Sequence, residues 1–141
     1  MMQIRNAQLA DAGAVAELLT QLDYSAAGFI HEKIAALLRH PDALLLVAEQ
    51  DGDVLGFISL HFIPQIALAG DFCRVSYFCV DNQQTSQGIG KLLLDHAEQL
   101  AGERGCNRME VHCHSRRTEA HRFYQRQAYL ESPKYLMKIL D

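Results

Sequence analysis

The stretch from Val80 to Leu94 constrains the fold of this chain more than any other. An apolar run ending at Val80 predicts a strand, the polar residues after it predict a turn, and Gly88 and Gly90 then open a helix. In that helix Ile89, Leu92, Leu93, His96, Ala97 and Leu100 recur at helical spacing, while Lys91, Asp95, Glu98 and Glu103 take the opposite face. One side of the helix must therefore pack on something. A helix start with two glycines leaves backbone N–H groups bare, because they have no partner inside the helix, and the macrodipole there favours negative charge. Such a start can hold a phosphate. Two other glycine-rich sites are excluded: a dinucleotide fingerprint needs a third glycine where Leu93 stands, and a P-loop needs Gly-Lys-Ser/Thr where Gly90-Lys91-Leu92 stands.

With 141 residues, 49% hydrophobic and 21% charged, the chain suits a single domain over residues 1–141 that buries its own core. A net charge of -4 and a pI near 5.9 argue against a general nucleic-acid binder. Apolar runs such as Ala43 to Ala48 are too short to span a bilayer, and the start of the chain lacks a charged segment followed by a long apolar one. No membrane role and a cytoplasmic location are expected. Cys73, Cys79, Cys106 and Cys113 show no C-x-x-C spacing and read as buried free thiols. His112 and His114 form an H-x-H pair that a strand places on one face, but no further ligands accompany it and no metal is expected.

In chain order, a short strand around Ile4 leads to a helix over Leu9 to Leu22 with Val15, Leu18, Leu19 and Leu22 on one face, its first turn supported by Asp11. After a break at Tyr24 to Gly28, Ile30, Ile34, Leu37 and Leu38 mark a second helix that Pro41 ends. Leu44 to Glu49 and Val54 to Ile63 flank Asp51-Gly52-Asp53, a hairpin signal because glycine tolerates the positive φ such turns require. Phe72 to Val80 is the strand that enters the glycine turn. Beyond the helix, Arg108 to His114 predicts a strand with Met109, Val111 and Cys113 on one face and Glu110, His112 and His114 on the other. Thr118 to Gln127 predicts a helix burying Ala120, Phe123, Tyr124 and Ala128, and two short strands, Tyr129 to Glu131 and Tyr135 to Leu140, close the chain. The expected fold is α/β (α+β) in three layers, a mixed, mostly antiparallel sheet of six to seven strands with helices on both faces.

Two motifs in this order resemble the GNAT superfamily of acetyl-CoA-dependent N-acetyltransferases, and the resemblance covers essentially the whole chain. The family's Q/R-x-x-G-x-G/A loop is matched by Thr85-Ser86-Gln87-Gly88-Ile89-Gly90, with threonine in place of glutamine or arginine. Its N-x-x-A-x-x-F-Y-x-x-x-G-F motif is matched from Arg117 to Tyr129, where Ala120, Phe123 and Tyr124 agree and Arg117 and Ala128 depart. Within the superfamily, Leu60-His61-Phe62, the loop to Asp71 and the segment Ala120 to Tyr124 look similar to small bacterial members of the aminoalkylphosphonate type.

The resemblance implies acetyl transfer from acetyl-CoA, a co-substrate, to the primary amine of a small molecule. The pyrophosphate would meet backbone N–H groups from Gln87 to Lys91, within a cofactor site formed by Thr85, Ser86, Gln87, Gly88, Ile89, Gly90 and Lys91. The cofactor arm would run along Phe78, Cys79 and Val80, with Arg117, Phe123 and Tyr124 also at the cofactor. The family's bulged strand would offer a main-chain N–H near Cys79 or Val80 to the thioester oxygen. Tyr124 would be the general acid, since a phenol with pKa about 10 is protonated at neutral pH. Many relatives carry a base on this strand, yet Ser76 and Tyr77 stand there; His112, His114 and His61 are candidates through a water and none is assigned. Tyr24, Phe29, His61 and Tyr77 would flank the acceptor. Arg116, Arg117, Arg122 and Arg126 form either a solvated helix face or a grip on the 3'-phosphate. A homodimer is expected by analogy. Two other readings stand beside this one, a peptide or protein amine as acceptor and a non-catalytic acyl-CoA sensor.

Overall fold

The computed structural model describes residues 2–84, 88–112, 118–131 and 136–140. Its contacts fall into two compact units, residues 1–110 and 111–141. The first holds a sheet in which β1 (Met2–Asn6), β2 (Ala43–Gln50), β3 (Asp53–Ile63), β4 (Asp71–Val80) and β5 (Cys106–Val111) follow one another in sequence order, β5 running on to the first residue of the second unit. β1 to β4 are antiparallel neighbours. β5 enters after a helix, α3 (Ile89–Glu103). Gly70 lies against Gly105 and Asn107, and Arg74 meets Glu110 at 3.1 Å, so β4 and β5 advance in the same direction. The sheet is therefore mixed, as a strand–helix–strand crossover requires.

Local chemistry explains these elements well. The β2–β3 turn pairs Gln50 with Asp53 across two residues, and both central residues, Asp51 at φ 54° and Gly52 at φ 87°, are left-handed. That is the geometry that matches the twist of the flanking strands, and Asp-Gly supplies it. α1 (Ala12–Thr20) follows a single 3-10 turn, Leu9–Asp11, and α2 (Ile30–Arg39) stops before Pro41 as expected.

Side-chain alternation sorts the core into two faces. Val15 and Leu18 of α1 and Ile34 of α2 pack with Leu45, Val47, Phe57 and Cys79. Gly56, next to Phe57, points the other way, and there α3 comes down so closely that a Cβ on Gly56 would sit 3.2 Å from Leu93 and 3.4 Å from Ile89. Any larger residue here would crowd α3 and force its side chains to shift. Fully burying Ile89, Leu93 and Leu94 on that face stabilises the unit by roughly 1.5–3 kcal/mol per side chain.

Three expectations are corrected. The buried stripe of α3 is Ile89, Leu93, Leu94, Ala97 and Ala101, with Leu92 46% exposed, so the helix is rotated from the face first read. Leu93 and Leu94 are fully buried in place of Leu92. β5 starts at Cys106 and ends at Val111, which leaves His112 outside the strand and exposed, while Cys113 and His114 lie outside the described residues. Finally, the sheet has five strands among the described residues rather than six to seven. Tyr129–Glu131 and 136–140 form no strand, and Leu130, Leu136, Met137, Ile139 and Leu140 are exposed. Their alternation signals compatibility with a pleated surface, but a strand exists only where a neighbour accepts its ladder.

The second unit contains α4 (Thr118–Arg126). α4 ends in a left-handed residue, Ala128 at φ 68°, whose N–H donates to Gln125 O at 3.0 Å while the N–H of Tyr129 reaches back to Tyr124 O at 2.9 Å. These two bonds make a Schellman cap.

Candidate active site

α3 begins at Gly88, which adopts φ 74° and receives no capping side chain. The left-handed conformation suits a residue without a Cβ. The first-turn N–H groups that lack helical acceptors are those of Ile89, Gly90 and Lys91, since the bond from Leu92 N–H to Gly88 O, at 3.1 Å, is where the helical ladder starts. Lys91 directs its ammonium to Asp95 at 2.6 Å on the exposed face, so the turn offers backbone rather than this side chain. Thr85, Ser86 and Gln87 lie outside the described residues, as does Arg117.

On β4, Cys79 is buried, and its thiol contacts Leu18 O at 3.2 Å beneath α1. Its side chain belongs to the core, which leaves only its main chain for a ligand. Phe78 and Val80 are half-buried beside it. Cys79 and Val80 pair in regular register with Phe57 and Gly56. The irregularity sits earlier in the strand: Ser59 pairs with Tyr77 and Leu60 with Val75, so Ser76 is an extra residue opposite no partner. A bulge of this kind re-aims its side chains.

At this bulge Ser76 Oγ lies 2.6 Å from His61 Nδ1. The pair lines a cleft of about 440 Å³ with His40, Asp42 and Arg74. The His40 and His61 rings meet edge to face at 6.4 Å. Burial first, and the neighbouring His40 second, hold the His61 pKa below the ordinary histidine value. Arg74 bonds to Glu110 at 3.1 Å, and its buried Nε has no partner among the described residues. Arg104 holds Asp42 at 2.9 Å and lies 3.9 Å over the Phe62 ring.

Of the expected acceptor residues, Tyr24 and Tyr77 come together with their rings perpendicular at 5.5 Å, and Tyr77 follows the bulged Ser76 in sequence. His61 joins them through Ser76. Phe29 stands before the first turn of α2, half exposed. Sequence reading missed His40 and Arg74, and it found no role for Ser76; nothing local marks a bulge, because register is a property of two strands. In the second unit, the Tyr124 ring packs on Phe123 at 5.4 Å and on Tyr129 at 5.6 Å, so the cap of α4 fixes its orientation. Cys73 and Cys79 are buried free thiols as expected, but Cys106 is only half-buried; burial pushes the Cys73 thiol up to about 12 and raises Cys106. Among the described residues no group of three or more metal-ligating side chains occurs, and no helix is long and apolar enough to cross a membrane.

A glycine start to α3 directly after β4 agrees with the order of elements that the sequence motifs imply, whereas the bulge expected near Cys79 or Val80 lies at Ser76 instead, and comparison with known proteins decides the family. Residues 7–129 match the model of the acetyltransferase (GNAT) family. The chain belongs to the GNAT family. Among GNAT proteins it is 31% identical over 135 residues to aminoalkylphosphonate N-acetyltransferase of Salmonella typhimurium, covering 92% of this chain and 86% of that one. The GNAT fold recurs in a transcriptional regulator from Bacillus halodurans at TM-score 0.91 and 19% identity, covering 99% and 100% of the two chains. Glucosamine-6-phosphate N-acetyltransferase from Arabidopsis thaliana gives a TM-score of 0.85 at 17% identity, covering 100% of this chain and 99% of that one.

Proposed function

We propose that this GNAT protein transfers the acetyl group of acetyl-CoA to the primary amine of a small molecule bearing an anionic group, an aminoalkylphosphonate or a close chemical relative. The start of α3, where Gly88 brings no capping side chain, carries the first half of the reading, because its backbone donors and helix dipole suit a pyrophosphate. The second half draws on the 31% identical relative, which is named for aminoalkylphosphonates. It draws also on the cleft lined by Arg74, His40 and His61, where the Arg74 guanidinium supplies positive charge and the neutral His61 ring a hydrogen-bonding edge for a phosphonate.

In this reading the amine attacks the thioester carbonyl directly, a main-chain N–H of β4 stabilises the oxygen as charge develops, and Tyr124 protonates the departing thiolate. Ring contacts on both sides hold the Tyr124 phenol in a fixed orientation, as a general acid needs. Thiol release from acetyl-CoA measured against aminophosphonates, other small amines and peptides tests the whole. Turnover on aminophosphonates, reduced at least tenfold in Tyr124→Phe, supports it. Preference for peptides moves the acceptor class, and tight acetyl-CoA binding without turnover on any amine favours a sensor.

A further inference from the structure

Acetyl transfer to an amine sheds a proton from nitrogen, and the strand that carries a carboxylate base in many GNAT relatives offers Ser76 and Tyr77 here. We propose that Ser76 and His61 form the proton acceptor, with Ser76 Oγ meeting the amine and His61 Nδ1 receiving the proton through it. This rests on the acetyl-transfer reading above.

The pair is built rather than incidental. Ser76 is the unpaired residue of the β4 bulge, two positions from Arg74, the ladder partner of His61, and its Oγ lies 2.6 Å from His61 Nδ1. Both line the open cleft, and Ser76 adjoins Tyr77, which meets Tyr24 edge to face. The proton path balances. As the amine's lone pair forms the C–N bond, nitrogen becomes cationic and passes one proton to Ser76 Oγ, whose own proton moves to His61 Nδ1. The C–S bond breaks with its electron pair on sulfur, which takes the Tyr124 proton; His61 then loses its proton to solvent and Tyr124 regains one.

The pair works only if His61 is neutral and carries its resting proton on Nε2, leaving Nδ1 to accept. The groups facing it are His40 at the end of α2, Asp42 before β2, and Arg74 beside Ser76 on β4, with Asp42 held by Arg104 and Arg74 by Glu110. The two carboxylates are each occupied by an arginine, so no free carboxylate among these groups draws His61 into its charged form. Burial and His40 favour the neutral ring in the same direction.

The test uses the full chain with acetyl-CoA and aminomethylphosphonate, following kcat/KM against pH in wild type, His61→Gln, Ser76→Ala and Ser76→Thr. Expected are a fall in kcat of about a hundredfold in His61→Gln with loss of the acidic limb, a similar fall in Ser76→Ala, and recovery in Ser76→Thr, which keeps the hydroxyl. Nitrogen-15 spectra of the His61 ring supply a readout independent of turnover. An Nε2–H tautomer at neutral pH is required, and an Nδ1–H tautomer overturns the assignment. Wild-type turnover with an unchanged acidic limb in His61→Gln overturns this inference and leaves the acetyl-transfer reading standing. Wild type that acetylates no amine overturns that reading and the inference with it.

Discussion

Two helix starts in the first unit are finished in opposite ways. Before α1, the Gln8 N–H donates to Asp11 Oδ2 at 2.7 Å, and Arg5 clamps both Asp11 oxygens at 2.9 and 3.0 Å while its Nε reaches Glu49 at 2.6 Å. Every charge there is spent on the protein itself. Before α3, Gly88 brings no side chain to the exposed donors. The contrast teaches that a helix start whose N-cap residue brings no side chain is the one to examine for a ligand, because the same chain closes another with a carboxylate.

The largest expected effect comes from opening the closed end. Asp11→Ala leaves Arg5 to Glu49 alone and removes the acceptor of the Gln8 N–H, costing about 2–3 kcal/mol, visible as a lower midpoint in urea, with acetyl-CoA affinity unchanged. The same carboxylate sets an acid limb. Arg5 holds the Asp11 pKa below the usual carboxylate value, so its contribution is complete above about pH 4 and is lost as pH falls through the lowered native value. Asp11→Asn should flatten that part of a stability profile, and an unchanged profile argues that another carboxylate carries it.

Perturbing the open end acts on binding instead. Gly88→Ala forces a Cβ into the left-handed region at a cost of about 1–2 kcal/mol. Calorimetry should show acetyl-CoA binding weakened about tenfold, and equal affinity removes Gly88 from the cofactor site. A third terminus sharpens the comparison. At the closed end of α4, Ala128 stands left-handed where the GNAT motif has glycine, so Ala128→Gly should stabilise the protein by about 0.5–1 kcal/mol on thermal unfolding. Smallest of all, Lys91→Ala loses only an exposed pair with Asp95, and stability should stay within about 0.5 kcal/mol.

These same residues show what a sequence can disclose. The Asp51-Gly52 turn, the stop before Pro41 and the glycine opening of α3 were legible, because each is decided by neighbours a few positions apart. The Arg5–Glu49 contact joins residues 44 apart, and the Ser76 bulge depends on the register of β3 against β4, so neither has a local signature. The rotation of α3 went unread for a related reason: with three consecutive leucines, Leu92 to Leu94, the sheet and not the pattern chose which two to bury. Likewise the alternation after Ala128 promised strands that find no ladder partner among the described residues.

The perpendicular contact of Tyr24 and Tyr77 gives the molecule a built-in optical reporter. The chain has no tryptophan and five tyrosines, so its near-ultraviolet signal belongs to phenols, and two of them stand half exposed in contact with each other beside Ser76. An acceptor settling against that pair would alter the coupling of the two rings. Its arrival would then register as a tyrosine difference spectrum or a change in near-ultraviolet circular dichroism, in the unlabelled protein and before any acetyl group moves.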